Sequence, residues 1–182
     1  MKKVNKKVYV PLAVDFLHEG HINILKIAKK YGDVIVGLFT DEAIASYKSI
    51  PILNYKNREL LVKNLKYVSR VVPQKTEDYT NNLNKIKPNY LVHGDDWKYD
   101  HRKKTRNKVI KILRKWSGKL IEPKYTKNIS SSKIKNNPYV TKTITISSLS
   151  YTFLRNILSI KKLKIIATKI AEIGINKKYI NS

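Results

Sequence analysis

Cysteine is absent from this 182-residue chain. No disulfide framework can form, and the composition suits a reducing, cytoplasmic setting. A dedicated zinc site is not expected either, because no third ligand joins the histidines at helical spacing. Acidic residues are scarce: 13 Asp and Glu stand against 38 Lys and Arg, a net charge of +25. Long apolar runs are also missing. None reaches the ~18 residues of a membrane span. The basic start, Met1 to Lys7, leads into a short apolar run that reaches Asp15 without a small-residue cleavage site, so it does not read as a signal peptide.

Such a charge first suggests nucleic acid. The lysines, however, are spread along the whole chain, and aromatic and basic residues do not interleave as in RNA-binding surfaces. A global compositional bias or an anionic small substrate accounts for the charge better, and no nucleic-acid partner is expected. Hydrophobic residues make up 42% of the chain, enough to bury a core. The length fits one domain plus an appendage.

Apolar runs and helical patterns alternate. Strands are expected at 8–14, 34–39, 70–73, 90–93 and 119–122. Between the first two, a helix over 20–31 should bury Ile24, Leu25, Ala28 and Tyr31. Asn54 is a candidate N-cap for a helix burying Leu60, Leu61, Leu65 and Val68. Helical turns over 80–87 stop at Pro88. A basic loop, 98–106, leads to a helix with Val109, Ile112, Leu113 and Trp116 at helical spacing. The fold class is α/β: a Rossmann-like five-stranded parallel sheet with helices on both faces. Residues 1–137 form the expected main domain. Residues 138–182 read as a linker plus an amphipathic helix over 151–173. That helix suits a dimer contact or, being basic, a membrane surface; a remnant or frayed tail is the third reading.

In such folds ligands sit beyond the C-terminal strand ends. His18, Asp41, Gly94 to Trp97 and Ser130 to Ser132 all follow expected strands. The stretch Asp15-Phe16-Leu17-His18-Glu19-Gly20-His21 links the first strand to the first helix, and its histidines lie one turn apart on one side. Gly20 allows a ligand close to the backbone. Alone, such a histidine pair is usually a surface or structurally satisfied pair.

Together these stretches resemble the HxGH nucleotidyltransferase superfamily in its cytidylyltransferase branch. His18-Glu19-Gly20-His21 matches the first signature, Gly94-Asp95-Asp96-Trp97 the fourth-strand motif, and Ile129-Ser130-Ser131-Ser132 the last. The runs Val36 to Lys48, Ile86-Lys87-Pro88 and His93 to Lys98 are further similar to phosphonate cytidylyltransferase domains. Pro11 stands where the family usually has glycine and offers no N–H. Lys127-Asn128 replaces a glutamate-glycine pair, although asparagine tolerates a left-handed turn.

The resemblance implies transfer of CMP from CTP to a small anionic acceptor, such as 2-aminoethylphosphonate, with release of pyrophosphate and with Mg²⁺ as cofactor. Phosphocholine, phosphoethanolamine and glycerol phosphate are the alternative acceptors, and ATP is an alternative to CTP. The catalytic residues would be His18, His21 and Lys48. Leu12, Ala13, Val14, Gly20, Arg58, His93, Gly94, Asp95, Asp96, Ile129, Ser130, Ser131 and Ser132 would bind nucleotide. Asp15 and Trp97 would line the acceptor pocket, and the metal ligands are unassigned. A homodimer is expected.

Overall fold

A computed structural model describes residues 5–99 and 102–136. The strands are β1 (Lys7–Leu12), β2 (Asp33–Phe39), β3 (Arg70–Gln74), β4 (Tyr90–Val92) and β5 (Lys119–Ile121). The helices are α1 (Glu19–Lys29), α2 (Asp41–Ala45), α3 (Tyr55–Lys63), α4 (Thr80–Ile86), α5 (Lys103–Arg114) and α6 (Ser131–Lys135). The expected five-stranded parallel sheet is present, in the order β3-β2-β1-β4-β5.

β1 is central and buried on both faces, so it reads as a continuous apolar run rather than an alternating one. Tyr9 points into a cluster with Ile35, Leu91, Leu83, Ile112 and Leu113, beneath α4 and α5. Val8, Val10 and Leu12 point the other way, toward Leu25 and Ala28 of α1 and Val62 of α3. Helices thus cover both faces, as expected. Gly37 on β2 has a packing reason: a Cβ there would lie 1.8 Å from the Tyr9 hydroxyl oxygen. That hydroxyl donates to Gln74 Oε1 at 2.5 Å and accepts from Asn82 at 3.0 Å, which satisfies it inside the core.

Several expectations shift. β1 stops at Leu12 instead of running to Val14, because Val14 takes a left-handed conformation at φ 52°. Tyr31 lies at the surface, its ring centroid 5.1 Å from that of Tyr90. On α3 the buried side carries Arg58 and Val62, whereas Leu60 and Leu61 are 62% and 44% exposed. The guanidinium of Arg58 fixes that rotation by bonding inward, as described below. The basic stretch 98–106, expected as a loop, instead starts on the last residue of a 3-10 turn, Asp95–Lys98, and ends within α5. Asp96 and Glu122 accept from Arg102 and Arg106 and so offset the repulsion along the run.

One compact unit ends at Ser131 and a second begins at Ser132. The extension 138–182, with its amphipathic helix and the dimer and membrane roles drawn from it, lies outside the described residues. Among the described residues no helix is long and apolar enough to cross a membrane.

Candidate active site

β1 is flanked by β2 on one side and β4 on the other: the chain builds outward from β1 to β3, then crosses to the other side for β4 and β5. The crevice that α/β sheets use for ligands is expected beyond its C-terminal end. The left-handed φ of Val14 turns the chain there, a conformation rare for a β-branched residue and typical of functional loops. Its side chain stays buried in the core.

His18 is the N-cap of α1, with extended backbone, and His21 lies one turn on. The His18 backbone N–H donates to His21 Nδ1 at 3.4 Å. The two ring centroids are 3.9 Å apart, with planes inclined at 33°. His18 Nδ1 is buried and has no hydrogen-bond partner among the described residues. This ring gives Gly20 a packing reason of its own. A Cβ on residue 20 would sit 3.0 Å from His18 Cε1 and 3.1 Å from His18 Nδ1.

Burial holds His21 at about 3, and the charges of His18 and Lys48 push in the same direction. His18 is also lowered, first by burial, with Glu19 opposing. Both imidazoles are therefore neutral at pH 7. Because Nδ1 of His21 accepts, its proton belongs on Nε2, which makes it a neutral donor aimed away from the backbone.

Unfolding releases His21 to an ordinary imidazole near 6.5, so the unfolded chain binds more protons below that pH. Stability should be full above about pH 6.5 and fall as pH drops toward 3. The urea midpoint should already be lower at about pH 5 than at pH 7, above the range where carboxylates titrate. His21→Gln should shrink that difference, with His18 and His93, also lowered by burial, supplying what is left. Gly20→Ala gives a second expected result. Alanine gains up to about 1 kcal/mol of helix propensity, so the melting temperature should hold or rise. Turnover should drop by about 10-fold or more, because the His18 ring must move. Thermal melts and initial rates on one preparation read both.

Lys48 is exposed in the loop after α2, its Nζ 5.7 Å from the centroid of the Tyr47 ring, and its charge adds to the lowering of His21. That loop is held from beneath. Asp15 is 6% exposed, and its Oδ1 accepts from Ile52 N at 2.7 Å. Arg58, fully buried, donates to Ala13 O at 2.6 Å, Leu53 O at 3.0 Å and Asp41 Oδ1 at 2.6 Å. Asp41 Oδ2 in turn accepts from Tyr55 N at 2.9 Å. The structure thus corrects the nucleotide-binding expectation for Arg58, whose described partners are all protein acceptors.

Across the crevice, the loop after β4 carries the second motif. His93 stacks on Trp97 with ring centroids 3.9 Å apart and planes 9° apart. Burial lowers the His93 pKa, so its ring is neutral at pH 7. Trp97 is fully buried, and its indole N–H donates to Glu122 at 2.7 Å. It therefore cannot present an open aromatic face to an acceptor, and that expectation is corrected. Asp95 Oδ1 accepts from Tyr125 N at 2.9 Å, and Asp96 Oδ2 from Arg102 at 2.8 Å. Gly94 leaves room for Asp96: a Cβ there would sit 2.9 Å from Asp96 Oδ1.

The last motif follows Asn128, whose φ of 70° is the left-handed turn an asparagine can supply. Ser131 Oγ accepts from Phe16 N at 3.3 Å and donates to Phe16 O at 3.2 Å, binding this segment to the loop after β1. Ile129 and Ser130 precede α6 and are half-buried; Ser131 and Ser132 open that helix. Among the described residues no three metal-ligating side chains converge. A magnesium ion, which commonly needs few protein ligands, would come held by nucleotide phosphates.

Sequence reasoning missed Glu122. It takes a bidentate pair from Arg106 at 2.7 and 2.8 Å and holds Trp97 as well, and Arg106 keeps it well ionised. Its signal was its isolation: it is the single acid between residues 101 and 171.

Residues 14–137 match the family model described as Cytidylyltransferase-like. The chain belongs to that family. Glycerol-3-phosphate cytidylyltransferase of Bacillus subtilis strain 168 is 32% identical over 134 residues, covering 71% of this chain and 95% of that one. Ethanolamine-phosphate cytidylyltransferase of Dictyostelium discoideum is 38% identical over 100 residues, covering 50% of this chain and 27% of that one. The chain thus spans about a quarter of the ethanolamine-phosphate relatives' length. A lipopolysaccharide core biosynthesis protein from Thermoplasma volcanium GSS1 superposes with a TM-score of 0.58 at 26% identity, over 67% of this chain and 98% of that one. The family match runs through the first, second and last motifs described above.

Proposed function

We propose that this protein transfers CMP from CTP to a small phosphate monoester and releases pyrophosphate. The observation that carries the proposal is the close, neutral His18–His21 pair at the start of an eleven-residue helix, with the charge of Lys48 acting on His21. An oxygen of the acceptor attacks the α-phosphorus. A P–O bond forms there, and the bond to the bridging oxygen of the β-phosphate breaks. The nucleophile is already an anion, so no base has to remove a proton. Charge builds on the α-phosphate oxygens and on the leaving oxygen, which fixed donors stabilise without reorganising. His21 Nε2–H and the His18 imidazole supply them, and the N-terminal amides of α1 add positive potential. Neutral donors also avoid a tight ion pair with substrate. Lys48, an exposed cation on its loop, offsets repulsion between acceptor and triphosphate. Magnesium would shield the β- and γ-phosphates when bound.

Phosphoethanolamine and glycerol phosphate are the favoured acceptors, because relatives carrying those names are 38% and 32% identical to this chain over the matched residues. A phosphonate such as 2-aminoethylphosphonate is the second reading. It rests on the similarity of Val36 to Lys48 and His93 to Lys98 to phosphonate cytidylyltransferase domains.

The test is pyrophosphate release with CTP or ATP against glycerol phosphate, phosphoethanolamine, phosphocholine and 2-aminoethylphosphonate. Release with CTP and a phosphate ester is expected. Release with the phosphonate alone would move the protein to the second reading. Release with ATP alone would overturn the choice of base.

A further inference from the structure

We infer that Asp15 is a positioning residue that clamps the Lys48 loop to the loop after β1, an inference that rests on the role proposed for Lys48. The observations are geometric. Asp15 lies three residues before His18 and is nearly buried, yet its carboxylate oxygen receives the backbone N–H of Ile52, 37 residues on, at 2.7 Å. Arg58 repeats the connection from below. It spans Ala13 O in the first loop and Leu53 O in the second, 2.6 and 3.0 Å away. Asp41 closes the group by taking Arg58 on one oxygen and Tyr55 N on the other.

The two loops therefore share one hydrogen-bonded base. One carries the histidines and the other carries the lysine. At the loop's first end, Lys48 N bonds Ile44 O at 2.9 Å, which continues the turn of α2. The stretch from Ser49 to Leu53 has no helix or strand of its own. Its registration against the crevice depends on side chains from elsewhere, and a charge-assisted bond to a buried carboxylate is the strongest kind available. A displacement of about 1 Å at a reacting group costs about 10²-fold. Asp15 thus acts through Lys48, in place of the direct acceptor contact that its sequence position suggested.

Four variants and two readouts test this. Asp15→Ala should lower kcat by about 10- to 10²-fold, and Lys48→Ala by about 10²-fold. The double variant should be no worse than Lys48→Ala alone, within about 3-fold, because the clamp has nothing left to place. Asp15→Asn keeps an acceptor oxygen and should stay within about 3-fold of wild type, with acceptor KM unchanged. Multiplying losses in the double variant overturn the inference. So does an Asp15→Asn protein as damaged as Asp15→Ala with a raised acceptor KM, which would make Asp15 an acceptor ligand. Full turnover in Lys48→Ala overturns it too, while leaving CMP transfer standing.

Hydrogen exchange reads the clamp without turnover. Amides over 46–54 should exchange faster in Asp15→Ala, and those of β1 and β2 should not. Unchanged exchange over 46–54 overturns the inference whatever the activity. If the wild type shows no CTP turnover, the proposed function fails and the exchange result still decides the clamp.

Discussion

His18→Ala should lower turnover by about 10²- to 10³-fold with the fold intact. The magnitude is that of one lost donor to developing charge. Two features separate this histidine from a structural one. Its Nδ1 is buried without a partner among the described residues, a state the fold alone does not reward. Its ring also occupies the space that Gly20 leaves open, so the helix start is shaped around it. The half of the capping box in which the His18 N–H donates to His21 Nδ1 survives the substitution. Thermal unfolding should therefore change little while kcat collapses. If instead the pair were structural, His18→Ala would lower the melting temperature and leave the rate of the surviving folded fraction near wild type.

Arg58→Ala should cost about 3 kcal/mol or more of stability, read as a lower urea midpoint. The side chain is fully buried, and three protein acceptors depend on it. Its removal leaves Ala13 O and Leu53 O without that donor and opens a cavity beside Val62. Asp41 is 34% exposed, so water can take up part of its loss, and the cost stays at the lower end for a broken buried pair. Arg58→Lys should recover little, because an ammonium cannot reproduce the planar fork that reaches three acceptors. A nucleotide ligand without structural duty would behave differently. Its alanine variant would keep the urea midpoint and raise the KM for CTP.

The arginine also shows where sequence patterning ends. The spacing of Leu60, Leu61, Leu65 and Val68 pointed to an apolar helix face. Leu65 and Val68 do pack against the core, but within α3 the structure turns Arg58 and Val62 inward, where hydrogen bonds to Ala13, Leu53 and Asp41 outweigh the exposure of Leu60 and Leu61. No periodicity rule carries that information; it depends on acceptors 45 and 17 residues away. The parallel sheet was legible because β1 and β2 are apolar on both faces. The histidine pair was legible because it lies between such a strand and a clear helix.

Roles at the crevice were harder to read. Trp97 and Asp15 follow strands, as acceptor-binding residues would. Yet Trp97 is drawn into the core by Glu122 and His93, and Asp15 spends an oxygen on Ile52. Both outcomes depend on partners far along the chain. Asn128 is the opposite case: its tolerance for a left-handed turn was visible locally, and the turn is there.

The most direct test follows CTP, glycerol phosphate or phosphoethanolamine, and the products in one reaction with magnesium by phosphorus NMR. CMP transfer predicts pyrophosphate and a CDP-linked ester appearing one for one, with the rate falling by about 10²-fold or more in His18→Ala. Inorganic phosphate released from the γ-position, or a CDP-ester forming at the same rate in His18→Ala, would contradict the account.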